Sequence, residues 1–516
     1  MPSKRFDTSK RFSRRQVFQS GAAAMLLPAA GSAAPAKTEP AGVYSRLGVT
    51  PFINMTATYT INGGAPMLAE VKQAMEDASQ WAVNLDELME KAGARVAELL
   101  GAESAIITCG CAAALVHATA ASMTGGDPEK MKQLPETSGL RNEVLIAKQS
   151  RNDYDHAFRA PGAKLIEFDS KEEFYAALSQ RTAMVAVLGT GEAKQNVRLE
   201  EIAEAAHKRG VPVVVDAAAE LPIKPNPYLS RGADLVAYSG GKILRGPQSA
   251  GVLAGRKDLV AAAWWNSAPH HAFGRSMKVS KEEVVGMVTA LEFFHGKRNL
   301  EAEYQTWRSW YQQIAAELAK IPGVTAKMNP PAGASPFPTM EVAWDPQRIR
   351  VTGAEVYEQL LHGEPRIMSH AGGESTSFLI RAVAMRPEHP AMVAKRLTEI
   401  FGASGHAAAK DQPAPAGSLA GTWDVELKFA AGHAKHTLVL EQTSPGRIQG
   451  LHLGLHAKAK LKGKAEGRNV EFTSVLAVEG MHIPYRFRGS LEGDGMAGEV
   501  ELGEFGRAKW SARRVG

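Results

Sequence analysis

Three short stretches of this chain set reactive or anion-binding groups just where an apolar run ends. "VPVVVDAAAE" closes its valines with Asp216, "LVAYSGGK" places Ser239 and Lys242 beyond a second run, and "IITCGCAAAL" passes through Gly110 into a helix start. Ligands of open parallel sheets collect at the carboxyl ends of the strands. A helix start adds free backbone N–H groups and the positive end of a macrodipole, which suits an anion. Lys242 is the one lysine in "DLVAYSGGKILRGPQSAGVLAG", and a lysine is a poor choice for a tight turn of small residues unless its amine is used there.

Together the three stretches match the needs of pyridoxal phosphate (PLP). A helix start takes the phosphate, a carboxylate keeps the pyridine nitrogen protonated so that the ring draws electrons, and a lysine forms the Schiff base. Lys242 is the expected aldimine lysine, and the glycines beside it let ring and substrate approach the backbone. The order of phosphate turn, Asp and Lys suits a fold-type I enzyme. Each element alone has a plainer reading. A strand-ending Asp is often a turn residue or cap, a glycine-flanked lysine a solvated loop, and "TCGCAAAL" a close-packed turn.

The elements that must position these groups are legible as alternating units. "SAIIT", "NEVLIA", "AKLIEF", "TAMVAVLG", "VPVVVDA", "ADLVAYS" and "AGVLAG" read as strands, with "KEEFYAALS" and "RLEEIAEAAHKRG" as helices among them. Continuous apolar strands separated by helices predict an α/β domain whose mostly parallel sheet is covered on both faces. One helical pattern spans 67–100 and stops at Gly101, two more helical stretches fill 281–321, and a smaller α/β region runs to Phe401. After the linker "GASGHAAAKDQPAPAGS", short strands with frequent glycine turns predict an all-β domain, a small barrel. The expected boundaries are a leader at 1–36, a catalytic domain at 37–403, a linker at 404–417 and the β domain at 418–516.

Bulk properties narrow the function. The chain has 516 residues and a formal charge of +6, but Lys4, Arg5, Lys10, Arg11, Arg14 and Arg15 face only Asp7 within 1–36. What remains is close to neutral, so no nucleic-acid partner is expected. "SRRQVFQSGAAAMLLPAAGSAAPA" carries a twin arginine, a modest apolar stretch and small residues suited to cleavage. It reads as a twin-arginine export signal, with the periplasm or the exterior as destination and no stable membrane insertion afterwards. Cys109 and Cys111 are too close for a disulfide framework and too few for a structural zinc site. His452 and His456 in "HLGLH" would share a strand face, but two histidines without a third ligand do not make a metal site. The lysines of "KAKLKGKAEGR" suit a charged strand edge or turn.

Further motifs carry a family likeness: "YSRLGVTPFINMTATYT", "LDELMEKAGARVAELLGAESAIITCGCAAAL", "RNDYDHAFRAPGAKLIEF", "VVVDAAAELP", "GADLVAYSGGKILRGPQSAGVLAGRKDLV" and "GRSMKVSKEEVVGM". On these, residues 43–401 resemble the bacterial selenocysteine synthase (L-seryl-tRNA(Sec) selenium transferase) superfamily, especially its D-glucosaminate-6-phosphate ammonia-lyase branch. The resemblance implies the PLP-dependent transferase fold of type I, with Gly110, Cys111 and Ala112 cradling the phosphate and Ser239 helping. It implies that Asp216 pairs with the pyridine nitrogen and that an aromatic group stacks on the ring, His156 first and Tyr154 second. Arg381 would hold a substrate carboxylate, Arg275 and Lys278 are further anion-binding candidates, and a homodimer or larger homo-oligomer is expected.

The reaction these parts suit is α,β-elimination, with ammonia released from a small amino acid or amino-sugar acid. Aldolase, racemase and transaminase outcomes share the same early chemistry. A seryl-tRNA selenium transferase would need an RNA-binding surface and a cytoplasmic address. A non-catalytic binding scaffold would have no need of Lys242, Asp216 and the phosphate turn together.

Overall fold

Seven strands carry the groups singled out above: β1 (Ser104–Thr108), β2 (Glu143–Ala147), β3 (Lys164–Phe168), β4 (Thr182–Leu188), β5 (Val213–Asp216), β6 (Leu235–Ser239) and β7 (Gly251–Gly255). The computed structural model describes residues 42–515 apart from 333–334, 371, 374, 404–414 and 445. The twin-arginine segment and most of the expected linker lie outside the described residues. The chain divides into two compact units, Met1–Pro51 and Phe52–Gly516. A single helical turn, Val43–Arg46, is the one element described in the first, and all that follows lies in the second.

The sheet order is β1-β7-β6-β5-β4-β2-β3. β2 to β6 pair in parallel, and β7 runs antiparallel between β1 and β6. Val213, Val214 and Val215 are fully buried, as a central strand covered on both faces requires. The single helical pattern expected over 67–100 is two helices, Ala69–Ser79 and α1 (Leu85–Leu100). The Asn84 side chain accepts the Glu87 amide and so starts a new helix, and Gly101 at φ +67° ends it. α2 (Gly110–Thr124) is rich in alanine and buried on nearly every side, because the sheet and the helix Lys257–Trp265 both pack on it. α3 (Asp155–Arg159) is a short turn of helix following β2.

A smaller sheet of β8 (Val324–Asn329), β9 (Thr339–Trp344) and β10 (Ser377–Ile380) is antiparallel in the order β10-β9-β8. Its own core gathers Trp307, Tyr311, Trp344 and Phe401 beneath α4 (Leu300–Leu318) and α5 (His389–Ala403). Ile53–Asn54 pairs in parallel with Ile367–Met368, tying the first strand after Pro51 to this region.

The C-terminal strands are β11 (Gly421–Lys428), β12 (His433–Ser444), β13 (Arg447–Leu453), β14 (Lys458–Glu466), β15 (Asn469–Val478), β16 (Met481–Glu492), β17 (Gly495–Glu501) and β18 (Arg507–Val515). Each pairs antiparallel with the next, and β18 returns to β11, so the barrel is closed. Alternation drives the closure: β11 buries Trp423, Val425 and Leu427 and exposes Asp424, Glu426 and Lys428. A closed barrel has no edge to guard. Lys458, Lys460, Lys462 and Lys464 therefore form an outward face of β14, which corrects the expectation of a charged edge.

His452 and His456 do not share a face either. His456 lies exposed in the turn between β13 and β14, whereas His452 is fully buried with its Nε2 2.8 Å from His436 Nδ1 and its Nδ1 2.7 Å from Ser474 Oγ. Among the described residues no group of three or more metal-ligating side chains forms.

Two buried histidines make stability depend on pH. Burial lowers His117 to about 4, and both its ring nitrogens lack a partner. Burial, with the neighbouring His436, lowers His452 to about 3. Below the ordinary value near 6.5 the unfolded chain takes up protons that the folded chain refuses, so stability is full above 6.5 and drains as pH falls. The His117 share is about 3 kcal/mol by pH 4. Thermal unfolding is expected to show Tm falling between pH 7 and 4.5, with a shallower fall in His117→Leu. Parallel slopes for the two proteins would refute the assignment.

Candidate active site

The carboxyl ends of β5 and β6 are neighbours, so the strand-ending Asp216 and the turn after Ser239 meet at one edge of the sheet. Asp216 is buried, and its Oδ1 accepts the Ala218 amide at 3.0 Å. The Cys111 thiol donates to the same oxygen across 3.7 Å, which ties the first turn of α2 to the carboxylate. Burial raises the Asp216 pKa, opposed by the Ala218 amide and the Lys242 charge. The Cys111 thiol is pushed well up, by burial first and by Asp216 second, so it stays protonated and serves as a donor rather than a nucleophile.

Lys242 sits in a turn held by backbone bonds: Gly240 N–H to Ala250 O at 2.8 Å, Gly246 N–H to Gly240 O at 2.9 Å, and Arg245 N–H to Lys242 O at 3.0 Å. Its Nζ lies 5.9 Å from the centre of the Tyr154 ring. Lys242, Asp216, Tyr154, Leu188 and Thr190 line one cavity of about 360 Å³, a size suited to a small molecule. Tyr154 also lines a second cleft of about 370 Å³, between Ala112 of α2 and His156 of α3. His156 is exposed, lines that second cleft alone, and places Nδ1 3.3 Å from the Arg159 guanidinium.

PLP fits these residues. No side chain caps the start of α2 and no acid lies in its first turn, so the amides after Cys109 keep their positive field for a phosphate. Ser239 pairs with Gly251 of β7, and Gly251 in turn lies against Gly110 and Cys111. A Cβ on Gly251 would stand 2.5 Å from the Cys111 amide nitrogen. Gly251→Ala is therefore expected to displace the start of α2, costing about 1–3 kcal/mol of stability and weakening PLP retention. Both are read from Tm and from PLP release, and unchanged release would show that this turn does not hold the cofactor.

Neither of the two arginines expected to hold substrate lines the Lys242 cavity. Arg275 is exposed and borders a separate pocket of about 150 Å³ with Lys278 and Trp264. Arg381 follows β10, and its Nη1 lies 2.6 Å from His370 Nε2. Burial and the adjacent guanidinium lower the His370 pKa, so His370 is a neutral acceptor. Among the described residues Arg381 has no carboxylate partner, and a guanidinium is suited to hold a carboxylate in two-point fashion. Sequence reasoning missed Arg151, which holds Asp155 and Glu167, and it missed Gly480 and His482 of the barrel, which also line the cavity. Arg151 opens "RNDYDHAFRAPGAKLIEF", where a charge beside Tyr154 is a local signal, whereas Gly480 and His482 sit in a strand hairpin with no such signal.

A mostly parallel sheet with an internal lysine turn, a strand-ending Asp and an open helix start is the fold-type I architecture of PLP-dependent enzymes. Residues 67–384 match the aminotransferase class-V family, and the chain belongs to it. It is 29% identical over 333 residues to D-glucosaminate-6-phosphate ammonia lyase of Salmonella typhimurium, covering 62% of this chain and 87% of that one. It is 31% identical over 377 residues to 5'-C-glycyluridine monooxygenase-decarboxylase of a Streptomyces, covering 69% and 92%. It is 25% identical over 374 residues to L-seryl-tRNA(Sec) selenium transferase of Aquifex aeolicus, covering 62% and 77%. A solved structure of D-glucosaminate-6-phosphate ammonia-lyase superposes with a TM-score of 0.62 at 28% identity, over 71% of this chain and all of that one. The barrel lies beyond the residues matched by the family.

Proposed function

We propose that this chain is a PLP-dependent lyase that releases ammonia by α,β-elimination from a small amino acid or amino-sugar acid. One observation carries the reading: Lys242 and Asp216 line the same small cavity, and Cys111 bridges Asp216 to the uncapped start of α2. Bound PLP supplies the electron sink that makes a substrate α-proton acidic. Lys242 Nζ would hold the cofactor, and its free amine would be the base for that proton. Asp216 would keep a proton on the ring nitrogen, Tyr154 would supply the aromatic face beside the ring, and the amides of Gly110, Cys111 and Ala112 would take the phosphate with Ser239 helping. Arg381, beside His370 and outside the lining of the Lys242 cavity, is the candidate for a substrate carboxylate.

The near-neutral chain beyond residue 36 and the small cavity favour a free amino compound over an aminoacyl-tRNA. Export by the twin-arginine route and a homodimer or larger homo-oligomer belong to the same proposal. Arg275 and Lys278, exposed and away from their own chain's cavity, suit a contribution to a partner subunit's site.

The test is the visible absorption of the full-length protein with PLP, before and after borohydride, followed by a screen of amino acids and amino-sugar acids for ammonia and keto acid. A visible band that borohydride fixes at Lys242, together with ammonia release, is the expected result. A protein that stays colourless with PLP would sink the reading. The 31% identity to a monooxygenase-decarboxylase makes oxygen-dependent decarboxylation the second reading, and oxygen uptake in the same screen separates the two.

A further inference from the structure

We propose that the C-terminal barrel is a working part of the active site. In this inference, which rests on the lyase reading, the β15–β16 turn forms the outer wall of the Lys242 cavity. His482, the second residue of β16, is then a specificity-determining residue for the far end of the substrate. Gly480 and His482 line the same cavity as Lys242, Asp216 and Tyr154, although they belong to the C-terminal barrel.

The turn itself is built for docking rather than for closing the hairpin most easily. Val478 and Met481 form the last pair of the ladder, so the loop is the two residues Glu479 and Gly480, at φ +48° and +79°. Two positive φ values mark the mirror-image turn that favours Asn-Gly or Asp-Gly. A glutamate in that first position is strained, and strain of this kind persists where a side chain is wanted. The Glu479 carboxylate lies 3.4 Å from Arg151 Nη2 and 3.7 Å from Arg159 Nε. Arg151 also holds Asp155 and Glu167 and is mostly buried. One guanidinium thus joins the barrel turn to the segment that carries Tyr154.

Gly480 completes the fit. A Cβ there would stand 2.7 Å from the Asn152 carbonyl oxygen and would strike the Asp155 carboxylate, so the turn presses backbone to backbone on that segment. His482 shares the lining of the cavity with Thr190 and Asp153, which makes this stretch polar. Donors and acceptors so grouped suit the hydroxyls of a polyhydroxylated amino acid better than a short apolar side chain.

Two arms on the full-length protein test this. In the first, the PLP-loaded parent, His482→Ala and His482→Gln are titrated with glucosaminate and with serine, and cofactor absorbance gives the dissociation constants. Loss of one hydrogen bond is expected to weaken glucosaminate about 10-fold in His482→Ala, with serine little changed and His482→Gln largely restored. Equal binding of both probes with and without His482 overturns the specificity assignment.

In the second arm, amide hydrogen exchange is followed over residues 151–156 and 478–482 of the cofactor-free protein. Glu479→Asn relieves the turn but removes the ion pair, so faster exchange in both segments with the rest of the barrel unchanged is expected. Unchanged exchange overturns the docking. A parent protein that takes up no PLP overturns the lyase reading and with it the role of His482, and the exchange arm still decides the wall.

Discussion

Lys242→Ala is expected to lower ammonia release by roughly 10²–10⁴-fold, the range lost when a positioned acid–base group is removed. Among the described residues lining the cavity, Lys242 is the only amine, and the one strong cation beside it, Arg151, is engaged by carboxylates. Nothing else in the cavity can hold the cofactor covalently and also carry a proton from the substrate. The variant should still take up PLP, because the start of α2 and Asp216 are untouched, but borohydride should no longer fix it to the chain. Partial rescue by a small exogenous amine would distinguish loss of the base from collapse of the turn. Undiminished ammonia release would remove Lys242 from the chemistry.

Asp216→Asn is the second large effect, with an expected fall of roughly 10²–10³-fold in rate, as for removal of one preorganised charge. The cause is specific. Burial raises the pKa of this carboxylate in the folded chain, so its charge is held at a cost that folding alone does not explain. Asparagine keeps the shape and the Ala218 contact while dropping the charge. The cofactor-free variant is therefore expected to melt at the parent temperature or above, even as activity falls. A drop in both would mean that Asp216 serves the fold, and loss of activity alone would assign it to the cofactor.

The parallel sheet and the lysine turn were legible because each rests on local chemistry. Continuous valine runs such as Val213–Val215, bounded by turn residues, favour central strands, and Asp216 ends one strand while Lys242 follows another after two glycines. The barrel was legible as strands, since β11 alternates apolar and polar residues along its length. Its closure was not, because pairing of β18 with β11 is a long-range choice that no local pattern encodes. The break at Asn84 was hidden for a different reason. Apolar spacing continues on both sides of it, and only the capping bond reveals a new helix. His452 resisted reading because a buried histidine with histidine and serine partners looks, in sequence, like any strand polar residue. The cavity wall was beyond reach, since the contact between Arg151 and Glu479 joins two domains with no shared motif.

The barrel is fused to the enzyme through the segment 404–417 rather than recruited to it. Covalent attachment turns what would be a bimolecular encounter into a choice made within one chain, at a local concentration on the order of millimolar for a short connection. A docking contact as small as one turn and one ion pair needs no independent affinity under those terms. Within one chain the turn meets the same segment at any protein concentration, whereas a separate subunit would drift away on dilution.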